Sequence, residues 1–228
     1  MTYRQFVATL AARKIQFRIV FRTFGTDLPR LTEEFNDFCS GRNPLHPDLR
    51  LDGTNGSRDL RIQAPPGLYY LIRTDTTVDG LHLIQGWTGP DCNGNPPNDL
   101  AWARQQADLR VLDGRDAVEF LRTLSSGSNT LGVRDDYVWW NSHGRTAAAG
   151  KTMVMDETSD ERHIFFDDWI GPLEGQGIVN VIDSNTAEQV VDARLDRVIV
   201  QVETFDAIRH HDYFLSAFEE MLPRESVM

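Results

Sequence analysis

Cysteine is scarce in this chain, with Cys39 and Cys92 the only two among 228 residues. Two isolated cysteines are too few for a disulfide framework or a zinc site. The N-terminus also lacks the apolar core of a secretory signal, because Arg4, Arg13 and Lys14 interrupt it. We therefore expect a cytosolic, reducing location.

Long apolar runs and a surplus of positive charge are missing as well. No apolar run approaches the roughly 18 residues that a membrane span requires, so we expect no membrane protein. The formal net charge of −11 and the pI near 4.9 argue against nonspecific nucleic-acid binding, which needs a basic face. An anionic substrate would need a local basic pocket or a recruited cation.

The composition is ordinary for a soluble globular protein, with 40% hydrophobic and 25% charged residues. The length of 228 residues allows one sizeable core with an insertion, or two small domains. We favour a single domain. The sequence sets no oligomeric state.

Helical and strand-like patterns alternate along much of the chain. Apolar spacing predicts a helix over residues 3–12, a strand over 17–21 and, after Gly25, a helix that Thr26 or Asp27 caps. Later runs predict strands over 178–182 and 197–202 and a final helix over 213–222, again from their spacing. This alternation favours an α/β fold with a mostly parallel sheet covered on both faces.

Residues 43–114 have a different texture, rich in turns. Two strand-like runs over 69–74 and 81–87 flank a turn near Asp79 and Gly80, which predicts a hairpin. We therefore expect a core made of residues 1–42 and 115–228, interrupted by a β-rich insertion at 43–114.

The segment GKTMVMDETSDERHIFFDDWIG contains the main candidate site. The apolar run that ends at Phe166 predicts a buried strand from which Asp167 and Asp168 emerge. A short turn or helix between Lys151 and this strand would place the ammonium group and both carboxylates at the carboxyl edge of one sheet. Such an arrangement suits Mg²⁺ and a phosphate.

These motifs resemble those of the haloacid dehalogenase (HAD) superfamily. The helix, strand and FRTFGTD turn resemble its second motif, and Lys151 with HIFFDDWI resembles its third and fourth motifs, in the same order. The segments FRTFGTDL, DDYVWWN, GK and HIFFDD are similar in sequence to those of uncharacterised eukaryotic HAD-like proteins, and the similarity spans most of residues 3–170. The resemblance implies a three-layer Rossmann-like fold with the insertion in the position of a cap.

The resemblance also implies roles for individual residues. Thr23 would donate a hydrogen bond to the phosphoryl oxygens of a phosphorylated small molecule. Lys151 would neutralise charge, because a carboxylate nucleophile cannot approach a phosphate without a cation. Asp167 and Asp168 would hold Mg²⁺. Arg22 could assist, although an arginine at a strand end is more often a member of a structural ion pair.

The HAD nucleophile motif, Asp-x-Asp, is absent from the given sequence. In one interpretation this motif would lie on a strand before the first helix. In the other, FRTFGT is a diverged first motif in which Arg22 and Phe24 replace the two acids. Both interpretations remove the nucleophile. Asp183 and Asp113 also follow apolar runs, but either would require a permuted motif order, and Asp183 is expected to cap a turn.

Three functional hypotheses follow. The chain is a HAD-like pseudoenzyme that keeps the fold without phosphatase chemistry, or a Mg²⁺-dependent phosphatase truncated at its start, or a binding or scaffold protein whose Asp pair is a solvated turn.

Overall fold

The structure is a computed structural model that describes residues 2–63, 67–94, 99–123, 130–156, 158–170, 176–190, 195 and 198–222. The described residues form seven α-helices, two short 3-10 helices and nine strands. The helices are α1 (Thr2–Ala12), α2 (Leu28–Cys39), α3 (Leu100–Ala103), α4 (Gly114–Thr123), α5 (Tyr137–Ser142), α6 (Thr204–Arg209) and α7 (Tyr213–Met221). The strands are β1 (Val20–Thr23), β2 (Leu68–Arg73), β3 (Leu81–Gln85), β4 (Arg110–Asp113), β5 (Leu131–Asp135), β6 (Lys151–Met155), β7 (Phe165–Asp167), β8 (Val179–Asp183) and β9 (Ile199–Gln201).

The main sheet has five strands in the order β1-β5-β2-β3-β4. Strands β1, β5 and β2 are parallel, whereas β3 is antiparallel to both β2 and β4. The predicted hairpin is confirmed as β2 and β3. The strand predicted over 17–21 is displaced, because pairing with β5 begins only at Val20 opposite Leu131.

Two smaller parallel pairs complete the strands, β6 with β8 and β7 with β9. Strand pairing is therefore mostly parallel, and the predicted α/β class is confirmed. Residue 197, at the start of the strand predicted over 197–202, lies outside the described residues.

The segment 43–114 is β-rich, but its strands are not separate from the core. Strands β2, β3 and β4 continue the sheet that begins with β1, and β2 pairs directly with β5. This corrects the expectation of an insertion outside the core, since side chains of these strands share one apolar cluster with those of β5 and α4.

Apolar side chains cover both faces of the sheet, because successive residues of a strand point to opposite sides. On one face, Phe21 of β1 meets Phe35 of α2 with ring centroids 5.1 Å apart. On the other face, Leu71, Leu83 and Val133 pack in one cluster, joined by α4 and by Val154 of β6. The buried members of this cluster are Tyr69, Leu71, Leu81, Leu83, Leu112, Ala117, Val118, Leu121, Leu131, Val133 and Val154.

Among the residues described, no helix combines the length and apolar character that crossing a membrane requires.

Candidate functional site

The three parallel strands of the main sheet bring charged side chains to one edge. Strands β1, β5 and β2 end at Thr23, Asp135 and Arg73 respectively. The residue before the end of β1, Arg22, lies on the same face as Asp135. The carboxyl ends of parallel strands lie at the same edge of a sheet, so these side chains lie close together. They lie beside β6, which packs on that face of the sheet.

Arg22 holds Asp135 with two hydrogen bonds in a buried setting. Its Nε donates to Oδ2 at 2.9 Å, and its Nη2 donates to Oδ1. The side chains of Arg22 and Asp135 are only 8% and 2% exposed. Arg22 Nη1 also donates to the Thr152 carbonyl at 2.6 Å. The expectation that Arg22 belongs to a structural ion pair is thus confirmed.

Arg73 extends this group from the end of β2. Its Nη1 donates to Thr152 Oγ1 at 2.9 Å, while its Nε has no hydrogen-bond partner within the described part of the chain. Burial lowers the pKa of Arg73, and the charges of Asp135 and Asp75 oppose that shift. We call Arg22, Arg73, Asp135 and Thr152 the strand-end cluster. It holds two cations and one anion.

Lys151 and Asp167 form a second buried ion pair, which we call the lysine pair. Lys151 Nζ donates to Asp167 Oδ2 at 2.7 Å, and the side chains are 7% and 8% exposed. The other carboxylate oxygen, Oδ1, accepts from the Trp169 N–H at 3.0 Å. The ammonium also lies 5.1 Å from the Phe24 ring centroid and 5.9 Å from that of Phe165.

The lysine pair is assembled differently from the way the sequence suggested. Lys151 is the first residue of β6, whereas Asp167 is the last residue of β7. These two strands belong to different sheets. The expectation of a common carboxyl edge in one sheet is therefore wrong, although the two side chains do meet.

Thr23 lies at the end of β1, as predicted, but its hydroxyl organises the next turn. Oγ1 donates to Asp27 Oδ1 at 2.8 Å and accepts from the Gly25 N–H at 2.8 Å. Asp27 occupies the N-cap position of α2, yet its side chain makes no capping hydrogen bond. The neighbouring Phe24, rather than Thr23 itself, contacts Lys151.

Asp168 does not join the lysine pair through any contact that the structure records. Its side chain is exposed, and its Oδ2 accepts from Thr204 Oγ1 at 3.4 Å, at the start of α6. The structure thus unites Lys151 with Asp167 and directs Asp168 towards solvent.

A magnesium ion does not fit these residues as they are arranged. Mg²⁺ needs octahedral oxygen ligands, which proteins supply through one or two carboxylates with water and substrate phosphates. Both oxygens of Asp167 already accept hydrogen bonds, and a lysine ammonium neutralises its charge. Within the described ranges, no group of three or more His, Cys, Asp or Glu side chains is placed to hold a metal.

The two other strand-end aspartates also have structural partners. Asp183 Oδ1 accepts from the Asn185 and Thr186 N–H groups at 2.7 and 3.0 Å, which confirms the expected turn. Asp113 Oδ1 accepts from Arg104 at 2.8 Å and lies 2.7 Å from His82 Nδ1.

Sequence analysis missed Arg73, Asp135 and Thr152 as members of one group. A signal was present for one of them, because Arg73 ends a run of apolar strand residues, whereas Arg134 separates Asp135 from the apolar residues before it. Thr152 gave none, since its role depends on β6 crossing the main sheet.

Comparison with known proteins gives no assignment: the chain matches no protein-family model, no curated protein and no solved structure.

Proposed function

We propose that this protein is a HAD-like α/β protein that binds a ligand without hydrolysing phosphate esters. Its support is the resemblance of the motifs around Thr23, Lys151 and Asp167, together with the mostly parallel strands and the close contact of Lys151 with Asp167. The proposal includes a cytosolic location, which agrees with two free thiols, one of them the exposed Cys92.

One observation favours binding over hydrolysis: each of the two buried carboxylates in the candidate site forms an ion pair with a cationic side chain. Asp135 is bound by Arg22, and Asp167 by Lys151. A carboxylate that attacks phosphorus must reach its substrate in line, which neither buried pair permits without breaking.

The test is hydrolysis of para-nitrophenyl phosphate with and without millimolar Mg²⁺. We expect no Mg²⁺-dependent turnover above that of the Lys151→Arg variant, which keeps the positive charge. Turnover in the native chain that falls in Lys151→Arg and in Asp167→Asn would overturn the proposal. Inorganic phosphate with Mg²⁺ should also leave the melting temperature unchanged. A rise would show that phosphate binds, because a ligand that binds the native state raises the melting temperature.

A second candidate is a Mg²⁺-dependent phosphatase whose nucleophile comes from sequence outside these 228 residues. Its support is the resemblance, which assigns Lys151 and Asp167 adjacent roles, and the ion pair between them would have to open for Asp167 to hold Mg²⁺. A chain extended by its upstream coding sequence would then hydrolyse the same substrate only with Mg²⁺, and Lys151→Ala would slow it. An inactive extended chain contradicts this candidate.

A further inference from the structure

Three polar side chains form a hydrogen-bonded series across β2, β3 and β4. Thr74 Oγ1 lies 3.1 Å from His82 Nε2, and His82 Nδ1 lies 2.7 Å from Asp113 Oδ1. The sheet brings them together, because His82 lies opposite Asp113 in the β3–β4 pair and Thr74 directly follows β2. We call these three residues the threonine triad.

The threonine triad is separate from the strand-end cluster and the lysine pair. Leu81 and Leu83, the neighbours of His82 in β3, pack in the apolar cluster that includes α4, so His82 points to the other face of the sheet. Thr74 likewise points away from the face on which Arg73 lies. An activity of the triad is therefore independent of the HAD-like interpretation.

The hydrogen bonds of the triad run in one direction. An ionised carboxylate only accepts, so His82 Nδ1 donates to Asp113, and Nε2 of the neutral imidazole accepts from the Thr74 hydroxyl. The other contact of this hydroxyl, to the Gly80 carbonyl, is longer at 3.5 Å and therefore weaker. Arg104 Nη2 donates to Asp113 Oδ1 at 2.8 Å and fixes the carboxylate. This is the direction in which a histidine activates a hydroxyl nucleophile.

The hydroxyl is accessible, and a backbone donor lies next to it in the chain. Thr74 is exposed, whereas the His82 side chain is only 9% exposed, so a substrate reaches the hydroxyl before the imidazole. The N–H of Asp75 donates to no acceptor within the described part of the chain. The N–H of the residue after a nucleophile is a common donor to the oxyanion of acyl transfer. The Asp75 carboxylate itself accepts from the Thr77 N–H at 2.7 Å.

We propose that the threonine triad hydrolyses activated carboxylic esters that carry a small acyl group. Thr74 is the nucleophile, His82 is the general base, and Asp113 is a positioning residue that orients the imidazole. The Asp75 N–H stabilises the oxyanion. The acyl group is small because the methyl group of Thr74 crowds the hydroxyl.

Hydrolysis takes place in two steps. Thr74 Oγ1 bonds to the ester carbonyl carbon as its proton moves to His82 Nε2, and the alcohol leaves with that proton. The product is an acyl-threonine. Water then attacks the acyl carbon and gives a proton to His82, which returns it to the Thr74 oxygen as the acid leaves. One ester and one water give one acid and one alcohol.

Hydrolysis of para-nitrophenyl acetate by the full chain tests the nucleophile and the base. We expect kcat/KM to fall about 100-fold in Thr74→Val and in His82→Gln, as for loss of general base catalysis. Thr54→Val is the matched control, because this exposed hydroxyl also binds a carboxylate, that of Asp52 at 2.5 Å, and should change nothing. An inactive native chain, or activity that requires His82 but not Thr74, would overturn the proposal.

The variant Thr74→Ser tests the acyl group. It keeps the hydroxyl and removes the methyl group, so it should retain hydrolysis of para-nitrophenyl acetate. It should also narrow the preference for this ester over para-nitrophenyl pivalate, whose acyl group is crowded. Loss of activity in Thr74→Ser, or an unchanged preference, would contradict the role of Thr74.

Chemical rescue tests Asp113. The side chain is 44% exposed, so small anions can enter the space that Asp113→Ala leaves. Sodium formate should restore part of the activity lost in Asp113→Ala, whereas sodium chloride at the same concentration should not. A purely structural role would give equal rates in both salts, and that result contradicts the orienting role.

A covalent probe covers the case in which the variants do not fold. Diisopropyl fluorophosphate reacts with activated hydroxyl groups, forming an oxygen–phosphorus bond as fluoride leaves and the proton passes to the base. Mass spectrometry of the native chain after digestion should find one adduct, on the peptide that contains Thr74. No adduct, or an adduct only elsewhere, would overturn the proposal.

Discussion

At the scale of single residues, the lysine pair depends on both partners keeping their charge. The Lys151 and Asp167 side chains are less than one tenth exposed. Removing one partner of a buried ion pair leaves an uncompensated charge, which is more damaging than removing both.

Lys151→Met should therefore lower the free energy of unfolding by about 3 kcal/mol, and Lys151→Met with Asp167→Leu should recover most of that loss. Urea denaturation followed by tryptophan fluorescence measures both. The exposed pair of Arg42 with Asp37 is the control, and Arg42→Gln should cost less than about 1 kcal/mol. A double variant as unstable as the single one would show that packing, not charge, dominates.

His163 is the second residue whose environment makes a prediction. Burial lowers its pKa from the usual 6.5, and the nearby charges of Glu161 and Asp156 oppose the shift. Below pH 6.5 the unfolded chain takes up a proton that the folded protein resists, so stability falls as the pH decreases.

His163→Gln should consequently lose less stability than the native chain between about pH 7 and pH 5, the range below the unfolded pKa. Unfolding curves at a series of pH values measure the difference. His211→Gln, at an exposed position, is the matched control and should follow the native curve. A native curve parallel to that of His163→Gln would exclude a contribution from His163.

At the scale of elements, local sequence patterns predicted most of the helices and strands but few of the pairings between strands. Helices α1, α2 and α7 and the β2–β3 hairpin follow from apolar spacing and turn residues, which are local signals. Strand β6 was missed because only a short turn or helix was expected between Lys151 and the strand that ends at Asp167. Its pairing with β8 depends on residues nearly 30 positions apart, which no local pattern encodes.

The same limit explains what was missed at the candidate site. The contact of Lys151 with Asp167 was expected, but the sequence placed both on one sheet. Arg73 and Asp135 were not recognised because charged residues are seldom fully buried, and only the pairing of β5 between β1 and β2 brings them together.

The junction between Gly150 and β8 is a point where one element fixes another. A Cβ at Gly150 would overlap the Ile178 carbonyl, which accepts from the Lys151 N–H at 2.6 Å. The φ of Gly150 is −77°, so an alanine there meets a steric obstacle rather than a conformational one.

Gly150→Ala should lower the free energy of unfolding by about 3 kcal/mol, at the upper end for overpacking, because backbone must move. Gly144→Ala is the comparison: its φ is +68°, and a Cβ there would meet no described atom within 4 Å beyond its two chain neighbours, so only the conformational cost of about 1 kcal/mol applies. Urea denaturation compares the two variants. A smaller loss for Gly150→Ala than for Gly144→Ala would contradict the packing at this junction.

At the scale of the whole molecule, β6 joins the main sheet to the smaller β6–β8 pair. Val154 packs in the same apolar cluster as Leu71 and Val133. Thr152 accepts hydrogen bonds from Arg22 through its carbonyl and from Arg73 through its hydroxyl. These contacts cross between the two sheets, so opening one sheet should expose buried charges of the other.

The two sheets should therefore open together. In native-state hydrogen exchange, the most protected amides of β2 and of β8 should share one opening free energy. Thr152→Val should lower both values by the same amount, about 2 kcal/mol, because Arg73 loses a buried hydrogen bond. Thr54→Val, in an exposed turn, should change neither. Loss of protection in β8 alone would show that the β6–β8 pair opens independently, and that the strand-end cluster does not couple it to the main sheet.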